Sequence, residues 1–129
     1  MQRIPFDGIA RKYRVDPERI YITGLSMGGF GTWNTIMDYP DLFAAAAPLC
    51  GGGDESMVAR IKEVPVWNFH GARDQIVPIR ESEDVVEALR QVGGRVRFTV
   101  YPNGDLPARR AITEHSSESS FHCESFVRV

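Results

Sequence analysis

The stretch Gly24-Leu25-Ser26-Met27-Gly28 decides the fold, because a strand-like segment precedes it and a helix-like segment follows it. Upstream, residues 19–23 (RIYIT) have the β-branched and aromatic composition of a buried strand. Downstream, large apolar residues recur at helical spacing, at Phe30, Trp33 and Met37. A Gly-x-Ser-x-Gly sequence between a strand and a helix is typical of a nucleophile elbow.

This turn has a chemical and a steric consequence. It holds a serine hydroxyl out above the edge of a sheet, so the pattern predicts that Ser26 is a nucleophile and that the chemistry is acyl transfer. It also brings a strand and a helix close together, so we expect that a side chain at Gly24 or at Gly28 would crowd them.

Composition narrows the class of protein. The chain has 129 residues, a net charge of -2 and 43% hydrophobic residues, which is typical of one globular domain without a nucleic-acid or anionic-membrane partner. No apolar run approaches the roughly 20 residues that a membrane span needs. No secretory leader is recognisable, so the chain as given is expected in the cytoplasm, and secretion stays open because an N-terminal segment could be missing.

Strand-like and helix-like segments alternate along the chain. The predicted strands cover residues 20–23, 43–49, 64–69 and 95–101, and the predicted helices cover residues 7–14, 27–38, 55–62 and 81–92. This alternation predicts a parallel sheet with right-handed crossovers. Residues 1–104 are expected to form a partial domain, and residues 105–129 a divergent, poorly ordered tail, because the tail contains a polar low-complexity patch without a clear period.

Several motifs together carry a family resemblance. They are RIYITGLSMGGFGTW (19–33), YPDLFAAAAP (39–48), CGGGD (50–54) and VWNFHGARDQIVP (66–78). They resemble α/β-hydrolases of the predicted peptidase, phospholipase/carboxylesterase and polyhydroxybutyrate-depolymerase-like group, over about residues 8 to 104. The resemblance implies an α/β-hydrolase-like three-layer sandwich, present only as its later half, with about four parallel strands and flanking helices.

The resemblance also implies the site. Ser26 is the expected nucleophile, Asp74 the acid of a Ser-Asp-His triad, and the backbone N–H of Met27 one half of the oxyanion hole. The residues support this independently, because Asp74 follows a predicted strand and would stand at the same sheet edge as Ser26. Asp54 is the second candidate for the acid, although a helix cap explains it better.

The base of the triad is left open between three histidines. His70 directly follows a predicted strand and is expected to support the loop that carries Asp74 (the acid loop) rather than to accept the serine proton. In the family the catalytic histidine follows a glycine shortly after the last strand, but here Asp105 follows Gly104. His115 is therefore the first candidate in the tail and His122 the second.

These observations predict a serine hydrolase that acts on carboxylic esters, or on short peptides, through an acyl-enzyme. No cofactor or metal is expected, because the three histidines and two cysteines lack ligand spacing. Small-molecule esters or peptides are the expected partners, without nucleic acid or membrane. The alternative is a catalytically inactive fragment that binds a partner, or a second copy of itself, through the exposed edge of its first strand.

Overall fold

The computed structural model describes residues 4–102, with the backbone alone for residues 4–7. The predicted tail of residues 105–129 lies outside this range. Helices and strands alternate as predicted, in the order α1 (Ile4–Lys12), β1 (Tyr21–Leu25), α2 (Met27–Asp38), β2 (Ala45–Leu49), a 3-10 helix (Glu55–Ile61), β3 (Val66–Gly71), α3 (Arg80–Gln91) and β4 (Val96–Tyr101).

The four strands form one parallel sheet in the order β1-β2-β3-β4. The alanine-rich β2, whose composition is also compatible with helix, is a strand because it lies between β1 and β3. The register aligns Leu25 with Leu49, and Leu49 with Phe69. The carboxyl ends of β1, β2 and β3 therefore lie at one edge of the sheet, where open α/β sheets usually bind ligands.

One face of the sheet is covered by α2, the 3-10 helix and α3. Their apolar residues meet alternate strand residues in a single core, because a strand points every second side chain to the same face. Each fully buried aliphatic side chain contributes roughly 1.5–3 kcal/mol to this core. The buried members are Trp33, Ile36, Met37, Ala46, Val58, Ile61, Val64, Val66, Val85, Val86 and Leu89.

The other face of the sheet carries a second, smaller cluster, composed of Ala45, Leu49, Trp67, Phe69 and Tyr101. The Trp67 and Phe69 rings stack with their centroids 5.0 Å apart. In the part of the chain that is described, β1 is an edge strand that pairs with β2. Among residues 4–102, no helix combines the length and the apolarity that crossing a membrane requires.

Candidate active site

Ser26 lies in a strained turn between β1 and α2. Its φ of 57° and ψ of -110° fall in a region that non-glycine residues rarely adopt. Hydrogen bonds hold the turn on both sides: the Ser26 N–H donates to the Leu49 carbonyl at 2.9 Å, and the Ser26 carbonyl accepts from Gly29 at 2.9 Å. The Ser26 side chain does not cap α2. The local geometry is therefore that of the elbow that the sequence predicts.

The glycines of this turn differ from the prediction in one respect. A Cβ atom on Gly24 would collide with the backbone of Gly28, as predicted. A Cβ atom on Gly28 would meet nothing within 4 Å, so the prediction that a side chain there would crowd its neighbours is wrong. The second crowded position is Gly29, where a Cβ atom would collide with the Leu49 carbonyl of β2. Gly28 points away from the sheet because it lies on the outer side of α2.

Met27 is the first residue of α2. The first N–H groups of a helix have no acceptor within the helix, and the helix dipole places partial positive charge at the same end. The Met27 N–H is therefore a hydrogen-bond donor of the kind that stabilises an oxyanion. Met27 as a whole residue is 86% exposed.

Asp74 lies in the turn that follows β3 and is 9% exposed. One carboxylate oxygen, Oδ1, accepts hydrogen bonds from the backbone N–H groups of Ile76 and Val77, each at 2.9 Å. The other oxygen, Oδ2, lies 3.6 Å from Nε2 of His70. A buried carboxylate needs such partners, and here they also fix its orientation at the carboxyl edge of the sheet.

Asp54 has a different environment. Its carboxylate is exposed and caps the 3-10 helix, accepting from the Ser56 N–H at 2.9 Å and from the Ser56 hydroxyl at 2.6 Å. These two hydrogen bonds lower the pKa of Asp54 below its ordinary value. The preference for a capping role at this position is confirmed.

His70 is fully buried beneath the acid loop. Its Nε2 lies 2.7 Å from the Val77 carbonyl and its Nδ1 lies 2.7 Å from the Ser82 hydroxyl. Both ring nitrogens are thus engaged away from Ser26, and the prediction that His70 supports the acid loop is confirmed. His115 and His122, the two other candidates for the base, lie outside the described residues.

Cys50 is a member of this site that the sequence analysis did not connect with the acid. It directly follows β2, is fully buried and has a φ of 53°. Its thiol hydrogen-bonds to the carboxylate of Asp74. Burial, together with the negative charge of Asp74 and this hydrogen bond, raises the pKa of the Cys50 thiol to about 12. The signal in the sequence is that Cys50 occupies the same place after β2 that Ser26 occupies after β1.

We expect Cys50 to resist alkylation in the folded protein. With a pKa of about 12 the thiolate, which is the reactive form, is about one part in ten thousand at pH 8. The measurement is peptide mapping by mass spectrometry after iodoacetamide treatment, with the urea-unfolded protein as the control that labels freely. Equal labelling of Cys50 in the two states would contradict the burial and the contact with Asp74.

No three or more histidine, cysteine, aspartate or glutamate side chains in the described part of the chain lie close enough together to hold a metal ion.

Comparison with known proteins places the chain in a family. Residues 7–118 match the profile of the Dienelactone hydrolase family. The chain is 27% identical over 105 residues to the bifunctional acetylxylan esterase/xylanase XynS20E of Neocallimastix patriciarum, covering 78% of this chain and 16% of that protein.

The chain is also similar to solved structures. A thermostable esterase is 52% identical with a TM-score of 0.75, over 78% of this chain and 27% of that one. SOBER1 of Arabidopsis thaliana is 28% identical with a TM-score of 0.63, over 77% of this chain and 49% of that one. The chain therefore spans less than half the length of each of these relatives. With its parallel sheet, flanking helices and serine turn, the chain belongs to the dienelactone hydrolase family of the α/β-hydrolase fold.

Proposed function

We propose that this chain carries the nucleophile and the acid of a serine hydrolase whose substrates are carboxylic esters, with short peptides as the second class. The observation that carries the proposal is the strained Ser26 turn, with φ 57°, at the same sheet edge as the buried carboxylate of Asp74. The relatives support the ester class, because their names describe an acetylxylan esterase and a thermostable esterase.

The proposed reaction begins with attack of the Ser26 hydroxyl on the acyl carbon. An imidazole takes the serine proton as the new C–O bond forms, and the Met27 N–H donates to the developing oxyanion. Collapse of the tetrahedral intermediate expels the protonated leaving group, and water then hydrolyses the acyl-enzyme. Asp74 orients the imidazole and stabilises its positive charge. His115 is the first candidate for this imidazole and His122 the second.

A fluorophosphonate probe tests the proposal, because the probe reacts with a serine only when a base activates it. We expect covalent labelling of the full 129-residue chain at Ser26, mapped by mass spectrometry, and its loss in Ser26→Ala. Ser56→Ala is the matched control, since Ser56 is an exposed residue of the 3-10 helix and only supports its cap. Labelling of His115→Gln and of His122→Gln identifies which imidazole acts as the base.

The alternative function is association through the outer strand β1. The position of β1 as the edge strand of the described sheet supports this alternative. The two functions make different predictions for the same folded sample. Labelling at Ser26 supports the hydrolase. Absence of labelling, together with concentration-dependent self-association in sedimentation, would contradict the hydrolase and support the binding module.

A further inference from the structure

A chain of buried, hydrogen-bonded polar groups, here called the relay, lies beneath the acid loop, and its centre is His70. The relay consists of the Gly51 carbonyl, the Ser82 hydroxyl, the His70 ring and the Val77 carbonyl. Each ring nitrogen forms a hydrogen bond with one oxygen atom. Nδ1 lies 2.7 Å from the hydroxyl of Ser82 on α3, and Nε2 lies 2.7 Å from the backbone carbonyl of Val77. Both distances are those of short hydrogen bonds, so each bond requires one proton between its two heavy atoms.

The directions of these bonds follow from the groups that form them. The Ser82 hydroxyl lies 2.6 Å from the Gly51 carbonyl, which can only accept, so Ser82 donates its single proton there. Ser82 is therefore left to accept, and Nδ1 of His70 must donate to it. The Val77 carbonyl can also only accept, so Nε2 must donate as well. Three bonds of defined direction thus require a proton on each ring nitrogen.

A doubly protonated imidazole is a cation, and a buried cation needs a counter-charge. Asp74 supplies it, with Oδ2 3.6 Å from Nε2 of His70 and its side chain 2% exposed. The thiol of Cys50, which reaches Asp74 from the end of β2, is neutral because its pKa is raised to about 12. On α3, the group that contacts the ring is the uncharged Ser82. Of these three side chains, the Asp74 carboxylate is the one that can balance a positive charge on the ring.

We propose that His70 is a buried imidazolium that positions Asp74 as the acid of the site. The positioning role rests on the function proposed above, whereas the protonation state of His70 does not. His70 is a positioning residue because its bonds run to the acid loop and to α3, and not to the nucleophile.

The relay also links the acid to the elbow. Gly51, whose carbonyl accepts from Ser82, packs so closely on the start of α2 that a Cβ atom at Gly51 would lie 2.5 Å from the Phe30 nitrogen. The path therefore runs from the elbow helix through Gly51, Ser82 and His70 to Val77, which flanks the acid. It sets the position of the acid loop relative to the turn that carries the nucleophile.

Nitrogen-15 NMR of the histidine ring tests the protonation state directly. A neutral imidazole has one protonated and one unprotonated nitrogen, whereas an imidazolium has two protonated nitrogens. In the full chain with His115→Gln and His122→Gln, His70 is the only histidine, and its surroundings in the described structure are unaltered. At pH 7.5, where a solvent-exposed histidine is mostly neutral, we expect two protonated ring nitrogens in the folded protein.

The same sample in urea is the control, and there one unprotonated nitrogen is expected. One unprotonated nitrogen in the folded protein would overturn the proposal. The second variant is Ser82→Ala, which removes the acceptor for Nδ1 and is expected to leave a neutral ring with its proton on Nε2. Ser56→Ala is the matched control. An unchanged His70 spectrum in Ser82→Ala would overturn the assigned bond directions.

Fluorophosphonate labelling tests the positioning role. We expect Ser82→Ala to slow labelling at Ser26 on the order of tenfold. Displacement of a catalytic group by up to about 1 Å lowers a reaction rate by roughly ten- to a hundredfold. An unchanged labelling rate would overturn the positioning role. If the unaltered chain is not labelled at all, the proposed function fails, while the NMR result on His70 still decides the imidazolium.

Discussion

Gly24→Ala is expected to lower the free energy of unfolding by about 3 kcal/mol, whereas Gly28→Ala is expected to leave it nearly unchanged or to raise it slightly. A Cβ atom at Gly24 would lie 2.5 Å from the Gly28 carbonyl carbon and 2.8 Å from its Cα atom. Backbone atoms cannot rotate out of the way, so β1 and α2 would have to move apart. At Gly28 the same atom meets nothing within 4 Å.

The two variants form a matched pair, since each adds one methyl group to the same turn. At Gly28, inside α2, alanine is the better helix former by up to about 1 kcal/mol. Urea unfolding followed by the fluorescence of Trp33 and Trp67, both buried in the described structure, measures the difference. Equal unfolding midpoints for the two variants would contradict the close approach of β1 and α2.

The second large effect is expected for Asp74→Ala. This change leaves the backbone N–H groups of Ile76 and Val77 without their acceptor, and it leaves His70 without its neighbouring carboxylate. Removing one member of a buried, hydrogen-bonded pair costs about 3–5 kcal/mol. We expect a loss of stability of about 3 kcal/mol or more, measured by urea unfolding, and loss of fluorophosphonate labelling at Ser26.

Two further variants separate the chemical role of Asp74 from its structural role. Asp74→Asn keeps the shape and one acceptor oxygen, so it should unfold at a higher urea concentration than Asp74→Ala while labelling still falls by orders of magnitude. Asp54→Ala is the control, because it removes only an exposed helix cap and should leave labelling intact. Loss of labelling in Asp54→Ala but not in Asp74→Asn would instead identify Asp54 as the acid.

Most of the elements follow from local patterns, but their ends do not. The first strand is predicted at residues 20–23 and is observed at Tyr21–Leu25, because its pairing with β2 continues to Leu25. The third strand is predicted at residues 64–69 and is observed at Val66–Gly71, because β4 pairs with it as far as Gly71. Strand ends depend on the partner strand, which residue composition does not describe.

The glycines of the elbow illustrate the same limit. The Gly-x-Ser-x-Gly pattern predicts the turn, and the turn is present at Ser26 with a φ of 57°. The pattern does not show which glycine touches another backbone. Gly24 does so against α2 and Gly29 does so against β2, whereas Gly28 faces open space. This depends on the angle at which the helix leaves the strand, which is a property of the packed structure.

The sequence by itself determined the elbow around Ser26, the alternation of strands and helices, and the place of Asp74 after a strand, because each depends on residues that are near one another in the chain. Only the tertiary structure decided that Cys50 contacts Asp74 and that Ser82 joins His70 to Gly51. These contacts join residues 12 to 31 positions apart in the chain. They exist because strand order and register bring the ends of β1, β2 and β3 to one edge of the sheet, a result of packing that no local pattern contains.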